Sequence, residues 1–495
     1  MPSKPFYRNN NKKASDLLQN IKSPKLEAKM KQKLSILEEF FFHRSKLNLH
    51  SCFYIGIKLN ELPQKHQLIS ALKYAVIKHE RLSCNVFYEE SDNEVYFKSI
   101  TEPFLFDDIV EYHRDWDQLK QNEINYIFQT YDFAYNEATP LWKILIIPSQ
   151  NEMLLVADHV LMDGMSAVHV WETLMKGLQK EAPIEDDEAI YSPLFSSSTD
   201  TISASPFENW PVPWTWRIIR QLASSLFYWS PKTIVTNNKD LIQFANYSFP
   251  ENFLEYEPTG DTSSYKVRNT NHQWEFRLLP AHLKSVLSEC KAHNVSLTSF
   301  LGALVCLSFK RTLKEVYNGT YLKMELPMNT RKICRENLQF LSDEELVIGN
   351  FVAPIEYKHK LHQDLGLWDI ASKIQKAVKS NSKDKVIDTI NNVKLLEVVS
   401  PQQFIKNKIN LNNGPSSTFE VTNLGFQAFK DACNTDLPFH VMDAIFNVPQ
   451  SMSDIFTLGV ISTPVGGLHC CVSYPNTLAE ELKPNWQYIK EHLHL

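Results

Sequence analysis

Apolar positions along this chain repeat with two periods, one suited to strands and one to helices, and the two take turns. Residues 52–59 alternate apolar and polar as a strand does, and residues 64–78 place Leu68, Leu72, Ala75 and Val76 at helical spacing. Residues 31–50 read as a helix followed by a turn, and 85–88 as a strand beyond the KHERL segment. Trp142–Ile147, entered through Pro140 and apolar apart from Lys143, and the wholly apolar residues 153–156 are short runs that predict buried strands. Met165, Val168, Trp171, Leu174, Met175 and Leu178 then return to helical spacing. Strands alternating with helices predict an α/β architecture for this part.

From residue 183 to about 271 the chain turns rich in Pro, Ser, Thr, Asp and Asn, the composition of a crossover between domains. Beyond it the alternation resumes, with a strand at 274–278 and helices at 280–293 and 296–313. Asn294 suits the end of the first helix and Ser296 the cap of the second. Residues 321–327, 348–355, 417–422, 456–462 and 467–474 all read as strands. The second part is thus another α/β unit, without a solenoid period.

At 495 residues the chain exceeds one ordinary core, so two domains of about 200 residues each are expected. A net charge of −6, with no zinc-finger, P-loop or Rossmann pattern, gives no reason to expect a nucleic-acid partner. The eight cysteines are scattered through apolar runs without a C-x-x-C pair, which fits small buried residues of a reduced intracellular protein and predicts no metal centre. The polar, basic N-terminus lacks the apolar core of a secretory signal, and no run of 18 apolar residues predicts a spanning helix. Residues 210–229 carry four tryptophans and only Arg217 and Arg220 as charges. That composition fits a helix lying in a membrane interface or one packed on the protein's own surface.

The chemistry concentrates in MLLVADHVLMDG, residues 153–164, where His159 ends a buried run and Asp163 precedes Gly164. An imidazole at a rigid strand end can take and return a proton near neutral pH, which makes His159 a candidate general base. A structural histidine followed by an aspartate capping the next helix satisfies the same window. Sixteen histidines predict about one His-x-x-x-Asp by chance. A second instance, His113 to Asp117, sits in a charge-rich stretch and reads as solvated surface.

Polar residues also break out of apolar strands at LPMNTR (326–331), IGNFVAP (348–354) and STFEVTNLG (417–425). Taken in order with HVLMDG, KHERLSCNVF (78–87) and PLWKILIIP (140–148), the set resembles the coenzyme A-dependent acyltransferase superfamily. That superfamily includes chloramphenicol acetyltransferase, the plant BAHD enzymes and peptide-synthetase condensation domains. VTNLG (421–425) and FTLGVIST (456–463) are most similar to the fungal alcohol O-acetyltransferases, whereas the D-F-G-W-G box of plant members is absent. The resemblance implies an α/β fold of two similar chloramphenicol-acetyltransferase-like domains with mixed sheets and an interdomain active-site tunnel. Residues 31–182 would form the first, 272–495 the second, 183–271 a linker bearing the aromatic helix, and 1–30 a disordered basic tail.

The resemblance further implies His159 as the base, with Asp163 turned away from it and paired to Arg331 as structural support. Thr422 and Asn423 become candidates to orient the acceptor or the developing oxyanion, or to close a strand-end turn. Asn329 and Asn350 are expected to do structural work, and Gly164 to permit close backbone approach or a tight helix start. Acetyl-CoA would be a co-substrate, with no bound cofactor and no metal. The expected activity is transfer of an acetyl group to a hydrophobic alcohol. N-acetylation of a long-chain amine such as a sphingoid base, thioester hydrolysis and a non-catalytic lipid-binding member of the fold are the alternatives. The expected location is cytoplasmic, with residues 210–229 as the candidate contact to endoplasmic reticulum or lipid droplets.

Overall fold

The computed structural model describes residues 31–50, 52–89, 94–180, 193–195, 202, 207, 210, 212–229, 240–247, 254–256, 265–267, 271–312, 320–337, 346–379, 382–410 and 415–494. The tail expected at 1–30 and most of the expected crossover lie outside them. The elements that position the site begin with helix α1 (Ile36–Lys46), strand β1 (Phe53–Leu59), helix α2 (Lys65–Lys78) and strands β2 (Val110–Tyr112), β3 (Trp142–Ile147) and β4 (Glu152–Ala157). Helices α3 (Gly164–Leu178) and α4 (Trp214–Trp229) follow, then β5 (Asn271–Leu278), α5 (Pro280–Ala292), α6 (Leu297–Thr312), β6 (Tyr321–Asn329) and β7 (Val352–Lys360). The chain continues through α7 (Leu367–Lys379), α8 (Leu396–Val399), β8 (Ser417–Phe426), β9 (Val441–Asn447), β10 (Asp454–Thr463), β11 (Gly467–Pro475) and α9 (Ala479–His492).

Two mixed sheets carry the architecture. The first has the order β9-β1-β4-β3-β2, antiparallel except for the parallel β3/β2 pair. Phe53, Ile55, Met153 and Leu155 face the core under α2 and α3, whereas Tyr54, Leu154 and Val156 pack on Ile124, Ile127 and Phe128 of the helix Gln121–Thr130. Both faces of β4 are covered, which is why its sequence is a continuous apolar run instead of an alternating one. Helices α2 and α3 meet at Gly177, where a Cβ would stand 2.9 Å from the Cα of Ala71. The absent side chain sets how closely the two helices approach.

The second sheet has the order β5-β11-β10-β8-β6-β7, with parallel pairing of β10/β8 and β8/β6 and antiparallel pairing elsewhere. Every residue of β10 and β11 is buried. The two sheets are joined by β9, a strand from the second half of the chain that pairs with β1 of the first along its length, with one bulge between Val441 and Asp443. Its backbone crosses β10 so closely that a Cβ on Gly459 would lie 2.6 Å from the carbonyl oxygen of Phe446.

Three local expectations change. The helix expected from residue 31 begins at Ile36, because Ser35 caps it and exchanges a capping box with Glu38, while Lys31–Lys33 pairs as a short strand. The strand expected at 348–355 begins at Val352, since Gly349 takes a φ of +152° and the preceding residues form a loop. His113 is half-buried, not solvated: its ring stacks on Trp116 at 3.9 Å, because the adjacent short strand β2 folds this polar stretch onto the sheet edge.

Candidate active site

The buried strand β4 ends at Ala157, and the chain turns through Asp158, His159 and Val160 before Asp163 caps α3. Asp158 braces that turn, accepting from the backbone N–H of Val160 at 2.8 Å and from the Tyr135 hydroxyl at 2.7 Å. His159 therefore leaves the sheet on a short, tied loop.

Asp163 does two jobs at once. Its Oδ1 accepts from Ser166 N at 2.8 Å, capping α3, and both its oxygens accept from Arg331, Oδ2 from Nη1 and Oδ1 from Nη2, each at 2.9 Å. Phe351 N adds a further donor at 2.9 Å. Burial alone would raise this carboxyl, but the Arg331 charge and hydrogen bonds hold it below the usual carboxylate value. Arg331 also donates to the carbonyls of Leu346 and Val347. The pair thus ties the α3 start to the loop before β7 and to the end of β6, where Asn329 accepts from Arg331 N at 3.0 Å.

The imidazole of His159 is oriented by Asn350. Asn350 Nδ2 donates to the carbonyls of His159 and Val160 at 2.9 and 3.0 Å, so its Oδ1 is the atom 3.1 Å from His159 Nδ1. An acceptor there places the ring proton on Nδ1 and leaves Nε2 with a free lone pair. The ring stacks on Phe41 at 4.1 Å and leans against Phe53 at 5.3 Å. Burial, and then the nearby Arg44 charge, lower its pKa to about 4, so it is neutral at pH 7.

His159 lines a cavity of about 810 Å³ that draws its walls from both halves of the chain. Phe40, Phe41, Phe53 and Met165 come from the first half, and Val352, Leu396, Val399, Phe404 and Phe446 from the second. Asp163, Gly164, Asn329, Thr422 and Asn423 all reach its surface. Asn423 donates to Thr298 at 2.9 Å and accepts from Gly425 N at 2.7 Å, which closes the strand-end turn and leaves one amide N–H for other use. Gly164 has no left-handed φ; the nearest atoms to a Cβ there would be side-chain atoms of Leu424 and Phe446, at 2.8 and 3.5 Å.

Several cavity residues had no motif to mark them. Phe41, Arg44 and His50 come from α1 and the turn after it, in a stretch whose pattern predicts only a helix and a turn. Glu325 and Glu420 interrupt strands and Asp454 opens one, and an acid within or at the start of a buried strand is a legible signal that the strand-end pattern passed over. Among the described residues Glu275, His469 and Cys471 offer three potential metal-ligand atoms within 4.8 Å of one another; none of them lines the cavity, and His469 Nε2 contacts Glu275 at 2.9 Å.

Two mixed sheets meeting at a cavity that holds a neutral, oriented imidazole define a coenzyme A-dependent acyltransferase fold. Solved structures of that class superpose over nearly the whole chain. Trichothecene 15-O-acetyltransferase TRI3 from Fusarium sporotrichioides matches with a TM-score of 0.63 at 11% identity, covering 94% of this chain and 95% of its own. F. sporotrichioides TRI101, solved with coenzyme A and T-2, matches with a TM-score of 0.54 at 13% identity, covering 93% and 98%. The chain belongs to the alcohol acetyltransferase family, which it matches over residues 33–490. It is 63% identical over 467 residues to N-acetyltransferase SLI1 of Saccharomyces cerevisiae, a span of 94% of this chain and 100% of that relative. The protein is an acetyltransferase.

Proposed function

We propose that the protein transfers the acetyl group of acetyl-CoA to the primary amine of a long-chain, apolar acceptor, with His159 as the general base. The observation that carries this reading is the neutral His159 ring with Nε2 free in a largely apolar cavity, together with 63% full-length identity to a relative named as an N-acetyltransferase. An apolar cavity disfavours the ammonium form and so raises the fraction of neutral, nucleophilic amine. As the nitrogen attacks the thioester carbonyl, His159 Nε2 accepts a proton from it. The C–S bond then breaks and the proton passes to the departing thiolate, giving an amide and free CoA. An imidazolium beside Arg44 is costly, so it exists only in passing. Asp163 and Arg331 act at one remove, by fixing the loops on either side of the base. Thr422 and the remaining N–H of Asn423 are the donors available to the carbonyl oxygen.

The alcohol family match supports a second reading, transfer to a hydroxyl by the same base. Purified protein given labelled acetyl-CoA with decylamine or decanol separates them, since an amide survives mild alkali and an ester does not. Amide formation that is lost in His159→Ala supports the proposal; ester alone overturns the amine assignment, and activity retained in His159→Ala overturns the base.

We also assign α4 to the membrane surface. None of its residues is buried, and Trp214, Ile218, Leu222 and Leu226 form an exposed stripe four residues apart, with Tyr228 and Trp229 at its end. Among the described residues no single helix is long and apolar enough to cross a membrane. Arg220 pairs with Glu397 of α8 at 2.7 Å, and Leu396 and Val399 of α8 line the cavity. An acceptor dissolved in the bilayer would thus meet the cavity beside the helix that docks there.

A further inference from the structure

One face of the β5/β11 pair carries a cluster of side chains that acetyl transfer at His159 does not use. Glu275 and Cys471 stand directly opposite each other in this antiparallel pair, and His469, two positions before Cys471 on β11, points to the same face. One ligand atom from each lies within 4.8 Å of the other two. Four-coordinate zinc holds such atoms about 3.5 Å apart, at bond lengths of about 2.0–2.3 Å, so the three need to close by little more than about 1 Å. Glu275 has the freedom to do so, since its side chain is 53% exposed while that of His469 is 1% exposed. The same exposed carboxylate gives an ion a way in.

Hydrogen bonding within the cluster is incomplete. His469 Nε2 meets Glu275 at 2.9 Å, but its Nδ1 is buried with no partner, and among the described residues no hydrogen bond engages the buried Cys471 thiol. A histidine–glutamate pair therefore accounts for two of the three residues and leaves the thiol over. Cys470, its neighbour, faces the opposite side of the sheet and packs in the main core, whereas Cys471 packs with Tyr54, Leu154 and Ile445 of the first sheet. The cluster thus lies at the seam between the sheets. Glu152 of β4 and Asp443 of β9 bring two more carboxyls to its surroundings, and Asp443 is paired to Arg277 at 2.6 Å. One nitrogen, one sulfur and one oxygen donor on a rigid sheet face suit zinc, whereas magnesium and calcium take oxygen alone.

We infer that Glu275, His469 and Cys471 form a zinc site that ties β5, the edge strand of the second sheet, to β11 beside the first sheet, with water in the fourth position. Zinc displaces the thiol proton as it binds. The eight cysteines include no C-x-x-C pair, and this site needs none, because strand pairing brings Glu275 to a histidine 194 residues away. None of the three residues lines the cavity, so the ion stabilises the sheet and takes no part in acetyl transfer.

The test uses tag-free, full-length protein, stripped with EDTA under reducing conditions and titrated with zinc alone in competition with a fluorescent chelator. One ion per chain is expected, with a Kd below about 10 μM and a Tm that rises with added zinc. Cobalt in place of zinc should give thiolate-to-metal charge-transfer absorption. Cys471→Ser should abolish that absorption and weaken zinc binding by about 100-fold or more, Glu275→Gln should weaken it by about 10-fold or more, and Cys470→Ser should change neither. Glu275 is half exposed, so its variant decides the matter if Cys471→Ser does not fold. Zinc binding weaker than about 10 μM, or binding that is unchanged in Cys471→Ser or Glu275→Gln, overturns the site.

Discussion

Replacing Asn350 by alanine removes the single contact that decides which nitrogen of His159 carries the proton. Three hydrogen bonds are lost: two from Nδ2 to the His159 and Val160 carbonyls, and one from His159 Nδ1 to Oδ1. At about 1 kcal/mol net for each, the fold loses on the order of 3 kcal/mol, enough to lower Tm measurably while leaving a folded protein. The kinetic effect has a separate origin. Without an acceptor at Nδ1 the ring proton can move to Nε2, which then faces the cavity as a donor and cannot act as a base. A loss of kcat of about 10- to 100-fold, or roughly 1.4–2.7 kcal/mol of barrier, is expected with KM nearly unchanged, because Asn350 lies behind the ring and does not itself line the cavity. Long-range 1H–15N NMR on histidine-labelled protein reads the tautomer directly. Wild type should show Nδ1 protonated and the variant a mixture. A wild-type ring protonated at Nε2, or a variant with full kcat, would refute the reasoning.

Since burial and Arg44 lower the His159 pKa to about 4, kcat/KM referred to the concentration of neutral amine should stay level as pH falls past the ordinary imidazole value of about 6.5 and decline only near 4. An acid limb near 6.5 contradicts that. His79 and His359 are likewise lowered to about 4, chiefly by burial. All three bind fewer protons folded than unfolded between pH 4 and 6.5, so stability should fall as pH drops through that window, as chemical denaturation at several pH values would show. Arg331→Ala strands Asp163 in the interior and should cost about 3–5 kcal/mol, seen as a large drop in Tm with reduced soluble yield; an unchanged Tm refutes a load on this pair. Leu222→Glu with Leu226→Glu should abolish sedimentation with liposomes while leaving Tm unchanged, because neither side chain is buried; undiminished sedimentation removes α4 from the membrane.

Much of the site could be read from the sequence because strand ends announce themselves. His159 closes an apolar run, Thr422 and Asn423 lie toward the end of a strand that includes Phe419 and Val421, and each reaches the cavity. Asn350 was legible as a polar break and its structural bonds were expected, yet its grip on the imidazole was not, since 191 residues separate the partners. Arg44 and His50 gave no sign at all. They sit in a short polar stretch that reads as the end of a helix, and only packing against the second sheet turns that end into a cavity wall. Strand β9 escaped for a similar reason: its seven residues, VMDAIFN, make a weak local pattern, and its place beside β1 depends on a partner almost 400 residues away.

The sequence alone determined the periods of its strands and helices, the covering of both faces of β4, the capping position of Asp163 and the small set of polar residues available at strand ends. Those properties arise from neighbours a few residues apart, where sterics and local hydrogen bonds act. Tertiary structure decided which of the two neutral tautomers His159 adopts, that Asn350 is the residue that sets it, and that Arg44 and Glu420 line one cavity. Those outcomes depend on distances between segments far apart in the chain, and on the low polarity of a cavity that exists only once both sheets have closed around it.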